Sequence, residues 1–322
     1  MRGPLPGLLF ALLGFALFST HDVVVKTLGG AYAPFQTIFF SVLFSFPIAT
    51  LMLLRDATPG TLQPVHPGWV VARTLAAVIA TMCAFYAFSV LPLAEVYAIL
   101  FATPLLITVL AIPILGEKVR LRRGLAVLFG LAGIIVVLQP GQTTLTLGHL
   151  AALTAAVGGA CASVIVRRIG AEERSVVLLL YPLVANFTVM GAALPFVYQP
   201  MPLVDIGRVA LTAVLAFAAM TCMIRAYRLT EAALVAPMQY SQILWALLFG
   251  ALLFGETPSS RTLIGAGMVI ASGLYIVFRE SRAGVSDTTP VLRSRSRVGT
   301  PAALRLGPLM RLRGWTRHEG KS

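Results

Sequence analysis

The sequence is short of charge, and shortest of acid. Of its 322 residues, 12 are Asp or Glu and 25 are Lys or Arg, so 11% are charged, where soluble domains carry about 25%. Hydrophobic residues make up 58% and mean hydropathy is +0.88. A water-soluble fold cannot bury that much apolar surface, so the soluble globular class is excluded. Cysteine is scarce too. Cys83, Cys161 and Cys222 lie far apart inside apolar runs, which excludes a disulfide framework or a thiolate zinc site and leaves small buried hydrophobes. The phosphate-cradling pattern GxxxxGK[ST] is absent, so the chain carries no such ATP-driven motor.

The net charge of +13 would suit nucleic acid if it were spread over a folded surface. It is not. Residues 283–322 hold eight Lys or Arg against Asp287 and Glu319, a net +6 in a stretch rich in Ser, Pro, Gly and Arg. That stretch reads as a disordered basic tail, attracted to a membrane surface. No nucleic-acid partner is expected; membrane lipids are.

The apolar residues come in long runs. A spanning helix needs about 20 apolar residues to cross a hydrocarbon core of about 30 Å, and only helices or closed barrels satisfy their backbone there. Ten runs qualify, near 5–27, 33–54, 69–90, 93–115, 122–139, 147–168, 174–196, 206–228, 232–254 and 262–279. The expected fold is all-α and polytopic. The first run is too long, and too polar in its second half (His21, Asp22, Lys26), for a cleaved signal peptide. Arg and Lys crowd one set of loops: Lys118/Arg120/Arg122/Arg123, Arg167/Arg168/Arg174 and Arg225/Arg228. The excess of positive charge on cytoplasmic loops predicts both termini in the cytoplasm, in the cytoplasmic (inner) membrane.

Two of these runs end alike. "PILGEKVRL" breaks on Gly116 and Glu117, and "LLFGETPSS" on Gly255 and Glu256, 139 residues later. At the same offset Ala80 meets Ala219, Cys83 meets Cys222, Ala94 meets Ala233 and Leu105 meets Leu244. The ordered set predicts a duplication of five helices, over 1–141 and 142–282, before the tail at 283–322. An odd number of crossings turns the second copy upside down. The loops agree, because basic residues follow Glu117 while only Arg261 follows Glu256. Inverted repeats with a midplane site between the halves are the plan of many secondary transporters.

The chain here resembles the EamA-type members of the drug/metabolite transporter superfamily. The resemblance is carried by "AFYAFSVLPLAEVYAILFATPLLITVLAIPILGEKVRLRRGLAVLFGLAGIIVVLQPG" (84–141) and "RAYRLTEAALVAPMQYSQILWALLFGALLFGETPSSRTLIGAGMVIASGLYIVFRE" (225–280). It implies ten transmembrane helices in two inverted five-helix repeats, and transport of a small molecule. It leaves the substrate open. Ser41 stands where many relatives carry an arginine, and Pro104 has Ile243 opposite it, with Pro237 displaced toward the helix start.

Polar residues inside the runs are the candidate site, because a charge at a helix centre costs about 2.5–3.5 kcal/mol to insert. Asp22 and Lys26 are four apart and able to pair; with His21 they either form a neutralised outer patch or line the pathway. Glu95, with no local basic partner, is a candidate proton carrier or a partner for Lys26. In "MQYSQILW", Gln239, Gln242 and Trp245 share a face with Tyr240 to one side, and serve either a neutral or amphipathic ligand or interhelical bonding. Thr103 and Pro104 are placed to open a carbonyl toward the same cavity. Tyr97 and Asn186 are weaker candidates for binding substrate. Glu117 and Glu256 sit where the helix dipole disfavours a carboxylate, so a cation such as Lys118 or Arg120 is expected nearby. With Gly116, Gly255 and Pro104 they read as structural, and otherwise as proton carriers.

The expected function is secondary transport of a small organic metabolite or drug-like compound, as export coupled to a proton or solute gradient. Uptake of a metabolite or vitamin-like compound is the alternative. No cofactor, metal or catalytic residue is expected, and a homodimer is left open. A lipid-modifying intramembrane enzyme is the remote alternative. It needs a nucleophile–base pair; the only candidate, His21 with Asp22, is expected to point to different helix faces.

Overall fold

The computed structural model describes residues 5–54, 62–117, 121–139 and 145–281. The basic tail, Lys118, Arg120 and most of the loop after residue 54 lie outside the described residues. Among the described residues all regular structure is helical. The helices are α1 (Leu5–Gly29), α2 (Pro34–Leu54), α3 (Pro67–Val90), α4 (Leu93–Leu100), α5 (Thr103–Leu115) and α6 (Leu121–Leu138). They continue as α7 (Leu147–Ile169), α8 (Ser175–Val197), α9 (Leu203–Leu229), the short α10 (Ala232–Val235), α11 (Ser241–Phe254) and α12 (Ser260–Ser281). Nine helical stretches among these residues are long and apolar enough to cross a membrane, with Pro34–Thr50 a shorter apolar helix. Large apolar side chains stand on the outside of the bundle, including Leu125, Leu128 and Ile135 on α6 and Leu244 and Leu252 on α11. That is how a helix faces lipid.

The fourth and ninth runs, expected as unbroken helices, are each interrupted. Pro104 has no N–H to return to Leu100, so the i−4 bond is missing there. The Phe101 N–H closes on Tyr97 O at 2.9 Å, and the Ala102 N–H on Ile99 O at 3.0 Å. A new helix then starts at Thr103. In the ninth run Pro237 falls in a 3-10 turn over Ala236–Tyr240, which joins α10 to α11. At an offset of 139, Phe101 corresponds to Tyr240, so the two interruptions coincide.

Packing follows the duplication. α1 lies on α9 as α7 lies on α3; α2 meets α8, α6 meets α12, and α4 meets α11. The α6–α12 crossing is close, since a Cβ on Gly265 would lie 2.5 Å from Gly133 O. Gly267, two residues on, faces open space.

Interactions at the two ends give the orientation of the halves. At one end the tail of α1 (Lys26), the start of α4 (Leu93) and the tail of α11 (Glu256) come together, with the start of α7 (His149) against Glu95. At the other, the tail of α5 (Glu117) meets the tail of α7 (Arg167), and the start of α3 (His66) meets Glu172 and Glu173 before α8. So α4–α5 runs from the first end to the second, and α10–α11 runs back. The two copies are antiparallel.

Candidate functional site

Both Gly-Glu pairs are helix stops of one design. Gly116 (φ 71°) and Gly255 (φ 63°) are left-handed, a conformation open to glycine at little cost. The turn brings the Glu117 N–H to Ala111 O at 3.3 Å and the Glu256 N–H to Gly250 O at 2.9 Å. Each carboxylate then crosses into the other half. Glu256 Oε1 lies 2.8 Å from Lys26 Nζ, and its Oε2 accepts the Leu93 N–H at 2.9 Å, capping the first turn of α4, where the dipole favours an anion. Glu117 Oε1 pairs with Arg167 Nη2. Lys26 and Arg167 hold matching places near the ends of α1 and α7. Among the described residues the cation that meets Glu117 comes from α7. Each end of the bundle thus carries an ion pair of this kind between the halves.

The two interruptions meet in the middle. The rings of Phe101 and Tyr240 are 5.2 Å apart at 81°. Just past this contact, Thr103 corresponds to Gln242 and Ala102 to Ser241 at the 139 offset. The buried atoms Thr103 Oγ1, Ser241 Oγ, Gln242 Nε2 and Trp245 Nε1 have no hydrogen-bond partner among the described residues. Buried polar groups are almost always bonded, and leaving one unmade costs about 1–3 kcal/mol. Four around one pair of helix breaks suit a polar solute. Gln242 is 4% exposed. Gln239 lies in the 3-10 turn, one residue before Tyr240. Trp245 stacks on Phe249 at 6.0 Å.

A chain of rings links this centre to a buried polar group. Phe101 lies 6.0 Å from Tyr97, and Tyr97 5.5 Å from Phe88. The Tyr97 hydroxyl donates to Asp22 Oδ2 and approaches Ser19 Oγ at 3.3 Å. Asp22 Oδ1 is 2.9 Å from His21 Nδ1, and both residues are buried. Two expectations are corrected here. Asp22 does not pair with Lys26, because Lys26 reaches past it to Glu256 and Leu91 O. His21 and Asp22, although adjacent, do touch: the imidazole swings back beside the carboxylate.

The remaining candidates scatter. Glu95 has a basic neighbour after all, His149 Nε2 at 3.5 Å, and its side chain is 26% exposed, so it is not the expected lone carboxylate. Nor does it pair with Lys26. Asn186 lies on α8, against α2 and α3, with its amide donating to Pro182 O at 2.9 Å. Ser41 Oγ is 2.9 Å from Thr212 Oγ1. Outside the spans, Tyr32 donates to Asp205 Oδ2 at 2.7 Å, and that bond, with burial and the Asp205 charge, raises the phenol above its usual pKa. Sequence reasoning passed over Ser241, Gln36 and Arg73. Gln36 is fully buried and bonds both the carbonyl and the N–H of Gln199, at 2.7 and 2.9 Å. Arg73, a lone arginine inside the third apolar run, was the signal available.

Comparison with known proteins agrees with this geometry. The EamA-like transporter family matches twice, over residues 5–139 and 146–278. An S-adenosylmethionine uptake transporter of Rickettsia bellii is 24% identical over 86% of this chain and 95% of its own length. A riboflavin transporter of Vibrio cholerae is 27% identical (80% and 92%), and a pseudopaline exporter of Pseudomonas aeruginosa 22% (83% and 94%). A solved crystal structure shares the fold, with a TM-score of 0.57 at 20% identity over 83% of this chain and 94% of that one. The chain belongs to the EamA-like transporter family of the drug/metabolite transporter superfamily.

Proposed function

We propose that this transporter moves a small organic metabolite across the cytoplasmic membrane, as an exporter driven by protons that load on Asp22. The observation that carries the reading is the buried Asp22–His21–Tyr97 group, joined through Phe101 to the unpartnered polar atoms at the helix breaks. A carboxylate held inside a spanning bundle is costly to keep charged. Gaining or losing a proton there changes the Tyr97 bond, and Tyr97 packs against the ring at the first break. His21 and Tyr97 both contact Asp22, and Ser19 lies against the Tyr97 hydroxyl.

The ion pairs Lys26–Glu256 and Glu117–Arg167 are the outer and inner gates. Both are formed here, so the centre is closed at both ends. The excess of Lys and Arg in the loops at the Arg167 end supports a cytoplasmic position for that end and for both termini. Relatives named for uptake of S-adenosylmethionine favour the reverse direction as a second reading. On either reading the chain is a carrier and not an enzyme.

The test has two steps. Metabolites in medium and cytosol are compared between cells with and without the chain; compounds gained outside and lost inside name the exported substrates, and depletion from the medium selects uptake. The protein is then reconstituted in vesicles with a substrate so found. Asp22→Asn is expected to lose at least tenfold of pH-driven flux while keeping substrate exchange at equal pH. Glu95→Gln is expected to keep both. Full pH-driven flux in Asp22→Asn would remove Asp22 from the coupling.

A further inference from the structure

Arg73 is the least compensated charge in the described protein. It lies on the second turn of α3, about 9 Å along the helix from Pro67 at 1.5 Å per residue, at the end of the bundle that holds Glu117 and Arg167. The residue is 4% exposed. Its Nε and Nη1 are buried and have no hydrogen-bond partner, and the same is true of the neighbouring Thr74 Oγ1. Among the described residues no carboxylate lies within ion-pair distance of it, although Glu117, Glu172 and Glu173 all stand at that end; Arg167 and His66 each engage one oxygen of these groups, and the Oε2 atoms of Glu117 and Glu173 are buried without a partner.

Arginine stays protonated under all ordinary conditions. A structural arginine in a bundle would be expected to pair with an acid or with carbonyls, because a buried charge without a partner is strongly destabilising. Here the buried fork stands on a helix that packs against α7, α1 and α8, and the next residue along it adds a buried, unpartnered hydroxyl. Two donors plus a hydroxyl are what a carboxylate or phosphate accepts.

We propose that Arg73, with Thr74, is the anchor for an anionic group of the transported solute, so that the substrate class is an organic carboxylate or phosphate. This rests on the transporter reading and extends it. The anchor lies toward the Arg167 end of the pathway, so an anion entering from the cytoplasm meets it before reaching the uncharged polar atoms around Thr103 and Gln242.

The experiment uses the full chain in nanodiscs of phosphatidylcholine, with and without added phosphatidylglycerol. Sodium acetate, sodium phosphate and acetamide are titrated against sodium chloride at matched ionic strength. The readouts are the melting temperature and the arginine Nε–H resonances. A ligand that binds only the folded state raises the melting temperature. Acetate or phosphate is expected to give a saturable rise of a few degrees and to shift one Nε–H signal, which is missing in Arg73→Gln. Arg73→Lys is expected to keep the rise in weakened form, at least threefold, and Arg73→Gln to lose it. If Arg73→Gln does not fold, the shift of the wild-type signal still decides. Equal responses to acetamide and acetate, or no response to either anion, would overturn the proposal. A signal moved by phosphatidylglycerol and not by the solutes would assign Arg73 to a lipid headgroup and also overturn it. Flux of a neutral metabolite with no anion binding would leave the transporter reading standing and remove this one.

Discussion

Glu256→Gln and Glu117→Gln will each reduce transport at least tenfold without preventing insertion. Among the described residues each carboxylate is the acid that meets its cation across the two halves: Glu256 for Lys26, Glu117 for Arg167. Their side chains are 16% and 8% exposed, those of the cations 12% and 11%, so neither pair is an ordinary surface contact. Removing one partner of a buried pair costs about 3–5 kcal/mol, chiefly by stranding the other charge. The cost falls on the conformer in which that end is closed, and every 1.4 kcal/mol or so is tenfold in a two-state equilibrium. The carrier then rests open at the damaged end. Exchanging the charges, with Lys26→Glu and Glu256→Lys together, is expected to recover part of the flux that either single change removes. Recovery stays partial because Glu256 also caps Leu93 N–H, which a lysine cannot do. Flux in vesicles measures both. Equal flux in Glu256→Gln and wild type would show that the pair is no gate.

Gly273→Ala will be nearly inactive. A Cβ at Gly273 would stand 1.6 Å from the Tyr240 hydroxyl and 2.7 Å from its ring carbon Cζ, so the ring must leave its place against Phe101. That ring contact is where the two helix breaks meet, and moving it disturbs Ser241 and Gln242 directly. The expected loss of flux is tenfold or more. Adding Tyr240→Phe removes the nearer clash and leaves the Cζ contact, so part of the activity should return. A fully active Gly273→Ala would mean that Tyr240 has room to yield and does not fix the centre. Circular dichroism and a melting curve separate loss of function from loss of fold.

Much of this was legible in the chain itself. Runs of about 20 apolar residues leave a spanning helix as the economical choice, and the Gly-Glu stops repeated after 139 residues disclosed the duplication. Pro104, by its missing N–H, marked where the fourth run frees a carbonyl, but not that the helix stops and restarts there. What did not show was the partner of each polar residue. Lys26 is four residues from Asp22, and local spacing favours that pair. The structure instead gives Lys26 to Glu256, 230 positions away, because antiparallel copies bring the tails of α1 and α11 to one end. Glu117 finds Arg167 for the same reason, and Glu95 finds His149. Spacing within one helix carries no information about a contact made by symmetry between two. Lys26 and Arg167 are 141 positions apart, so the 139-residue offset sets Lys26 against Ile165 and misses the match between the two cations by two residues. Arg73 was visible as a lone charge in an apolar run, while its lack of a counter-ion needed the fold.

The account turns on two gates that open in opposite senses, and accessibility of the centre tests it most directly. A single cysteine replaces Thr103 after Cys83, Cys161 and Cys222 are changed to serine, and its alkylation by an impermeant maleimide is followed in right-side-out and inverted vesicles. Glu256→Gln should raise labelling from the outside and lower it from the cytoplasmic side, and Glu117→Gln should do the reverse. Labelling that rises from the same side in both variants, or stays unchanged in both, would contradict the account.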